Sequence, residues 1–222
     1  MAAALLITKT DRWSKMAASL ARDAFGDISA VSAKPSESLP EDIYWWQGDV
    51  LISFLCPWVL PKAVLERFAL AINFHPASSE YPGIGCYNFA IYEGAATYGA
   101  VCHHMAAQVD SGPIVEERRF PLFPGDTVAS LKNRTMAVML GMFAELVTAL
   151  AAGRPLPKTD VQWKRPAFTR RDLEALCVIT PDMTAEEIKR RVRATDFTGY
   201  PGATITLGGM TFAYKNVSGG QG

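Results

Sequence analysis

Apolar positions in the first third of the chain switch between two periods. "ALLITKT" is a short apolar run closing in polar residues, and "RWSKMAASLARDAF" sets Trp13, Met16, Leu20 and Phe25 at helical spacing, so a strand and then a helix are predicted. "DISAVSA" reads as a second strand and "GDVLISFL" as a strand buried on both faces. After Pro61, a short helix "KAVLERF" leads into a strand "LAINF". Strands alternating with helices predict parallel βαβ units. The expected class is α/β: a Rossmann-like open, mostly parallel twisted sheet flanked by helices, with ligands beyond the carboxyl ends of the strands.

The pattern changes past Gly83. A loop leads to the apolar segment "NFAIYEG", stopped at Gly94, and "YGAVCHHM" and "GPIVEERRFPL" read as two strands, antiparallel in part. From Asp126, read as a cap, "TVASLKNRTMAVMLGMFAELVTAL" is the longest predicted helix, ended by Gly153 and Pro155, with an apolar face to cover the sheet. Thr184 and Glu187 in "TAEEIKRRVRA" stand at capping-box spacing and open a short helix. "ATITLGGMTFAYKNV", with Gly208 and Gly209 between alternating runs, predicts a β-hairpin. The expected division is a catalytic unit over 1–155 and an extension with a short helix and hairpin over 156–222. There is no internal repeat, and the terminal "SGGQG" alone is low in complexity.

Composition narrows the partners. The 222 residues balance 22 basic against 22 acidic side chains, which gives no field suited to nucleic acid, so a small-molecule partner is expected. No run approaches the roughly 20 unbroken apolar residues of a membrane helix, and "MAAALLITKT" is too short for a signal peptide, so no membrane association and a cytoplasmic location are expected. Cys56, Cys86, Cys102 and Cys177 form no CxxC pair and read as reduced packing residues, and the three histidines lack metal-ligand spacing, so no metal is expected.

Asn73 and His75 are two apart at a strand end, so both side chains project to one side. They could act together on one atom or satisfy loop backbone groups; Pro76 holds His75 extended in either case. Asp110, in "VDSGPIV", fits a local cap of the Ser-Gly-Pro turn and also fits a carboxylate that orients an imidazole and holds its charged form. His103 and His104 lie on a strand, where alternation turns one inward and one outward.

"NFHP", "YPG", "AIYEG", "YGAVCHHM" and "VDSGPIV", in that order, resemble the signature of the formyltransferases that use 10-formyltetrahydrofolate, closely over residues 48–120. That family includes glycinamide ribonucleotide and methionyl-tRNA formyltransferases and the N-formyltransferases of nucleotide-linked amino sugars. The resemblance implies Asn73, His75 and Asp110 as catalytic residues. In that role a substrate amine attacks the formyl carbon, Asn73 and His75 meet the oxygen on which negative charge develops, and Asp110 supports the imidazole. It implies Phe54, Trp58, Val59, Leu60 and His103 as contacts of 10-formyltetrahydrofolate, and Tyr81, Gly83 and Tyr200 as acceptor contacts. Two departures stand out: "PASSEYPG" is a residue shorter than the family's loop and lacks its second Pro, and Val101 replaces the Thr of Gly-x-Thr-x-His-x-Met. A methionyl-tRNA enzyme adds a basic C-terminal domain, a purine enzyme a Gly-rich loop after the first strand, and a formyltetrahydrofolate hydrolase an N-terminal regulatory domain; "ITKTDRWSK" contains no Gly. The resemblance is therefore strongest to the small amino-sugar enzymes of polysaccharide or O-antigen biosynthesis, acting on nucleotide-linked 4-amino-4,6-dideoxyhexoses, with a homodimer as a further expectation.

Overall fold

Alternation along the first strand sets the layers. In the computed structural model, which describes residues 3–34, 36–200 and 202–215, β1 (Ala4–Lys9) turns Ala4 and Leu6 to one face and Leu5 and Ile7 to the other. α1 (Arg12–Phe25), β2 (Ser29–Ala33), β3 (Gly48–Phe54), α2 (Lys62–Leu65) and β4 (Phe68–His75) follow, and β1 to β4 are mutually parallel. α3 (Cys86–Glu93) leads to β5 (Thr97–His104) and β6 (Ile114–Pro121), which pair antiparallel, giving the order β2-β1-β3-β4-β5-β6. The mostly parallel sheet with an antiparallel edge is the architecture expected from the strand–helix alternation.

α4 (Val128–Ala151) packs with α1 over the face carrying Leu6, Ile52, Phe54 and Phe74. By length and composition α4 could cross a membrane, but here Leu131, Met136, Met139 and Phe143 are buried against other elements of the fold. Its cap is Thr127, not Asp126: the Thr127 hydroxyl accepts from the Ser130 N–H, while Asp126 accepts from the Phe123 N–H and pairs with Arg134. Phe143 meets Phe54 and Phe74 edge-on, with centroids 5.1 and 4.9 Å away. Phe143→Ala is expected to cost about 3–5 kcal/mol, read as a lower urea midpoint with an unchanged slope.

The other face is covered thinly, by α2 and a 3-10 turn at Glu41–Trp45, which pack Ile43, Val64 and Leu65 around Leu5, Ile7 and Leu51. A third cluster joins α3 and the start of α4 to α5 (Arg170–Cys177) and α6 (Ala185–Thr195). α5 and the 3-10 turn carry no long apolar period and were not expected from the sequence. The Thr184 hydroxyl caps α6 through the Glu187 N–H, but the Glu187 carboxylate turns to Arg190, Arg191 and Tyr92, so only half of the capping box forms. β7 (Val178–Ile179) pairs in parallel with β8 (Thr204–Leu207), which forms the expected hairpin with β9 (Met210–Ala213). Gly208 and Gly209, at φ 56 and 78, supply the two positive φ angles of its turn. Asn216, Val217 and "SGGQG" lie outside the described residues.

Between α4 and α5, residues 157–169 form an irregular strap that returns to the loop after β4. The Lys164 and Phe168 N–H groups donate to Ser79 O (3.0 Å) and Pro82 O (2.9 Å), and the Ile84 N–H donates to Phe168 O (2.9 Å). Gly83 sits at φ 88 in this crossing, and a side chain there would strike the Phe168 carbonyl, so the approach requires glycine.

Candidate active site

Neighbouring strands bring together residues far apart in sequence. Asn73 and His75 project from β4 to the face opposite α1 and α4, and the β4–β5 ladder sets His103 directly across from Asn73. Asn73 Nδ2 lies 3.1 Å from His103 Nε2. The loop between β5 and β6 then returns Asp110 between both rings, with Oδ2 3.2 Å from His75 Nδ1 and Oδ1 3.2 Å from His103 Nε2. The inward histidine of the pair on β5 is therefore His103, 2% exposed, while His104 is half-buried.

Hydrogen-bond partners fix where protons sit. His75 Nε2 lies 3.0 Å from Tyr81 O and His103 Nδ1 lies 2.8 Å from His104 O, and a carbonyl only accepts, so each of these nitrogens carries its ring's proton. The remaining nitrogens, His75 Nδ1 and His103 Nε2, face Asp110. A charged ring satisfies both of its contacts; a neutral one leaves its near nitrogen as an acceptor, which Asn73 can serve for His103. Burial alone would raise the Asp110 pKa, but the charge on His75, the hydrogen bond and charge of His103, and the Gly83 N–H (2.8 Å) outweigh it and hold the carboxyl well below the usual carboxylate range. The cluster is thus a carboxylate that faces one ring nitrogen of each of two imidazoles, with the Asn73 amide beside it.

Asp110 takes φ 44, in the left-handed region, which Asp tolerates better than most residues. The other non-glycine residue at positive φ among those described is Leu55, at φ 58. Both line one cavity of about 590 Å³, within the range of small-molecule sites. Backbone strain of this kind persists only where surrounding structure imposes it, and here it is confined to the cavity wall.

The cavity sorts the expected contacts. Asn73, His75, His103, Asp110 and Gly83 line it, as do Trp58, Val59 and Leu60 in the loop after β3. Phe54 does not: alternation turns it into the core against Phe74 and Phe143, fully buried, and Ser53 faces the cavity in its place. Tyr81 is buried against Tyr98 and reaches the site only through its carbonyl. Tyr200 lies outside the cavity lining, 65% exposed, with its ring on Phe197. His103, expected as a folate contact, is bonded within the cluster itself. Ser53, Lys9, Gln108 and the strap residues Ala167, Phe168 and Thr169 also line the cavity. Ser53 was recoverable from its phase two residues before Leu55, whereas nothing local in the sequence marks the strap. Among the described residues, no group of three or more His, Cys, Asp or Glu side chains is arranged to hold a metal ion.

An open α/β sheet that gathers two imidazoles and a carboxylate at the ends of its strands has the layout in which such sheets bind ligands and hold acid–base groups. More narrowly, the chain belongs to the formyl transferase family, whose profile matches residues 2–146. Methionyl-tRNA formyltransferase of Myxococcus xanthus is 28% identical over 173 residues, covering 76% of this chain and 54% of that protein. The chain spans about half the length of the curated relatives it matches. Among solved structures, protein Rv3404c from Mycobacterium tuberculosis superposes with a TM-score of 0.79 at 21% identity, covering 97% of each chain. The N-formyltransferase from Helicobacter canadensis, in complex with folinic acid and dTDP-3-aminofucose, gives 0.71 at 16% identity, covering 92% of this chain and 84% of that one.

Proposed function

We propose that the protein is a cytoplasmic N-formyltransferase that moves the formyl group of 10-formyltetrahydrofolate to the primary amine of a nucleotide-linked amino sugar of the 4-amino-4,6-dideoxyhexose type. The observation that carries this reading is the meeting of the Asn73 amide with the His75–Asp110–His103 cluster at one wall of the cavity. The apolar wall from Leu55 to Leu60, with Trp58 half-buried in it, suits a flat heteroaromatic ring. When bound there, 10-formyltetrahydrofolate supplies the electrophilic carbon. Asn73 is placed to donate an N–H to the oxygen that gains charge, and the proton leaving the amine is held at the edge between His75 Nδ1 and Asp110 Oδ2. Lys9 and Arg170 on the cavity lining suit the phosphates of a nucleotide-linked acceptor, and the Helicobacter canadensis enzyme, crystallised with a folate and a nucleotide sugar, supports that class.

A panel of nucleotide-linked amino sugars, glycinamide ribonucleotide and methionyl-tRNA, each incubated with 10-formyltetrahydrofolate and read by mass, tests the assignment. An amino sugar is expected to gain one formyl group. Gain by another amine alone would overturn the sugar reading, and tetrahydrofolate release without any amine would make the enzyme a hydrolase.

A further inference from the structure

We infer that Trp163, on the strap beyond the family-matched region, is a positioning residue that holds both imidazoles and the Asp110 turn in their working geometry. The inference rests on the formyl-transfer reading for its kinetic arm only. The indole meets His103 edge-on with centroids 5.2 Å apart and planes at 83°, and meets His75 at 5.9 Å and 70°. Its Nε1–H donates to Gly112 O at 2.9 Å, two residues past Asp110. Gly112 is packed so tightly that any side chain would strike the His104 carbonyl, so that turn has little room to shift. One side chain thus touches both rings and braces the turn that carries the carboxylate between them.

The strap sets the indole firmly. On its C-terminal side the backbone bonds of Lys164 and Phe168 tie the strap to the loop after β4, and Arg165 grips Glu93 with two bonds of 2.6 and 3.0 Å. Trp163 is half-buried and does not line the cavity, so it is placed to act through the histidines and not on substrate. Its edge-on packing restricts rotation of both rings.

The test compares wild type, Trp163→Phe and Trp163→Ala. Because a misplacement of about 1 Å can cost about 100-fold, Trp163→Ala is expected to lose about 100-fold in kcat and Trp163→Phe about 10-fold, with KM for each substrate within about threefold of wild type. The chain has three histidines, so the imidazole nitrogen signals of the 15N-labelled protein can be followed one by one. Both variants are expected to shift the His75 and His103 signals and to leave those of His104 in place. Unchanged His75 and His103 signals in both variants would overturn the inference. So would a loss confined to KM, or a Trp163→Phe enzyme with wild-type kcat and ring signals beside a Trp163→Ala chain that fails to fold. If wild type formylates no amine, the functional reading fails separately, and the ring signals decide the positioning role.

Discussion

Replacing Asp110 by Asn is expected to lower turnover by about 100- to 10,000-fold while the chain stays folded, the range for losing one group of an acid–base system. Asn tolerates the left-handed backbone that Asp110 occupies at φ 44, and its carbonyl can still accept from the Gly83 N–H, so the change removes a charge with little loss of shape. What disappears is the acceptor that both His75 and His103 face at 3.2 Å. Turnover within about threefold of wild type would remove Asp110 from the mechanism. The same substitution has a pH signature. A carboxyl held below its usual range contributes stability that is complete above the unfolded value of about 3.9 and is lost as pH falls through the lower folded value. The advantage of wild type over Asp110→Asn in thermal midpoint should therefore be widest above about pH 4 and close on further acidification. A gap that widens in acid would contradict the depressed carboxyl.

The second large effect belongs to His75. His75→Ala removes the ring that links the Tyr81 carbonyl to Asp110 Oδ2, and turnover should again fall by about 100- to 10,000-fold, with KM for the folate little changed. Because the ring lies against the cavity, solvent can reach the two oxygens it leaves and the fold should persist. His75 and Asp110 handle one proton together, so the double variant should be no slower than the worse single variant within about threefold. Multiplying losses would mean that the two residues serve separate steps.

The strands β1 to β6, the helices α1, α2 and α4 and the terminal hairpin were legible because each shows a local signal: alternation, an unbroken apolar run, helical spacing, or a Gly-Gly turn. Asn73 and His75 were legible as a pair because a strand places residues two apart on one side. That same rule places Phe54, expected from the resemblance as a folate contact, in the core, since its phase matches Ile52 and not Ser53 in the cavity. Tyr200, expected at the acceptor site, lies instead against Phe197, with ring centroids 5.2 Å apart and planes tilted by 41°. His103 was visible as an inward residue, but its bonds to Asn73 and Asp110 depend on the β4–β5 register, which periodicity does not determine. The strap was illegible for a deeper reason: it has no period of its own and takes its shape from the loop it crosses.

The placement of Asn73 and His103 as opposite partners on two hydrogen-bonded strands divides labour within the protein. Their spacing is set by a ladder that tolerates little variation, whereas the segments that close around the cavity are loops and the strap. Such a layout separates the polar pair from the rim of the cavity: mutations that lengthen, shorten or recolour those segments can change what the cavity admits without disturbing the pair beneath them, which makes the fold an economical starting point for divergence.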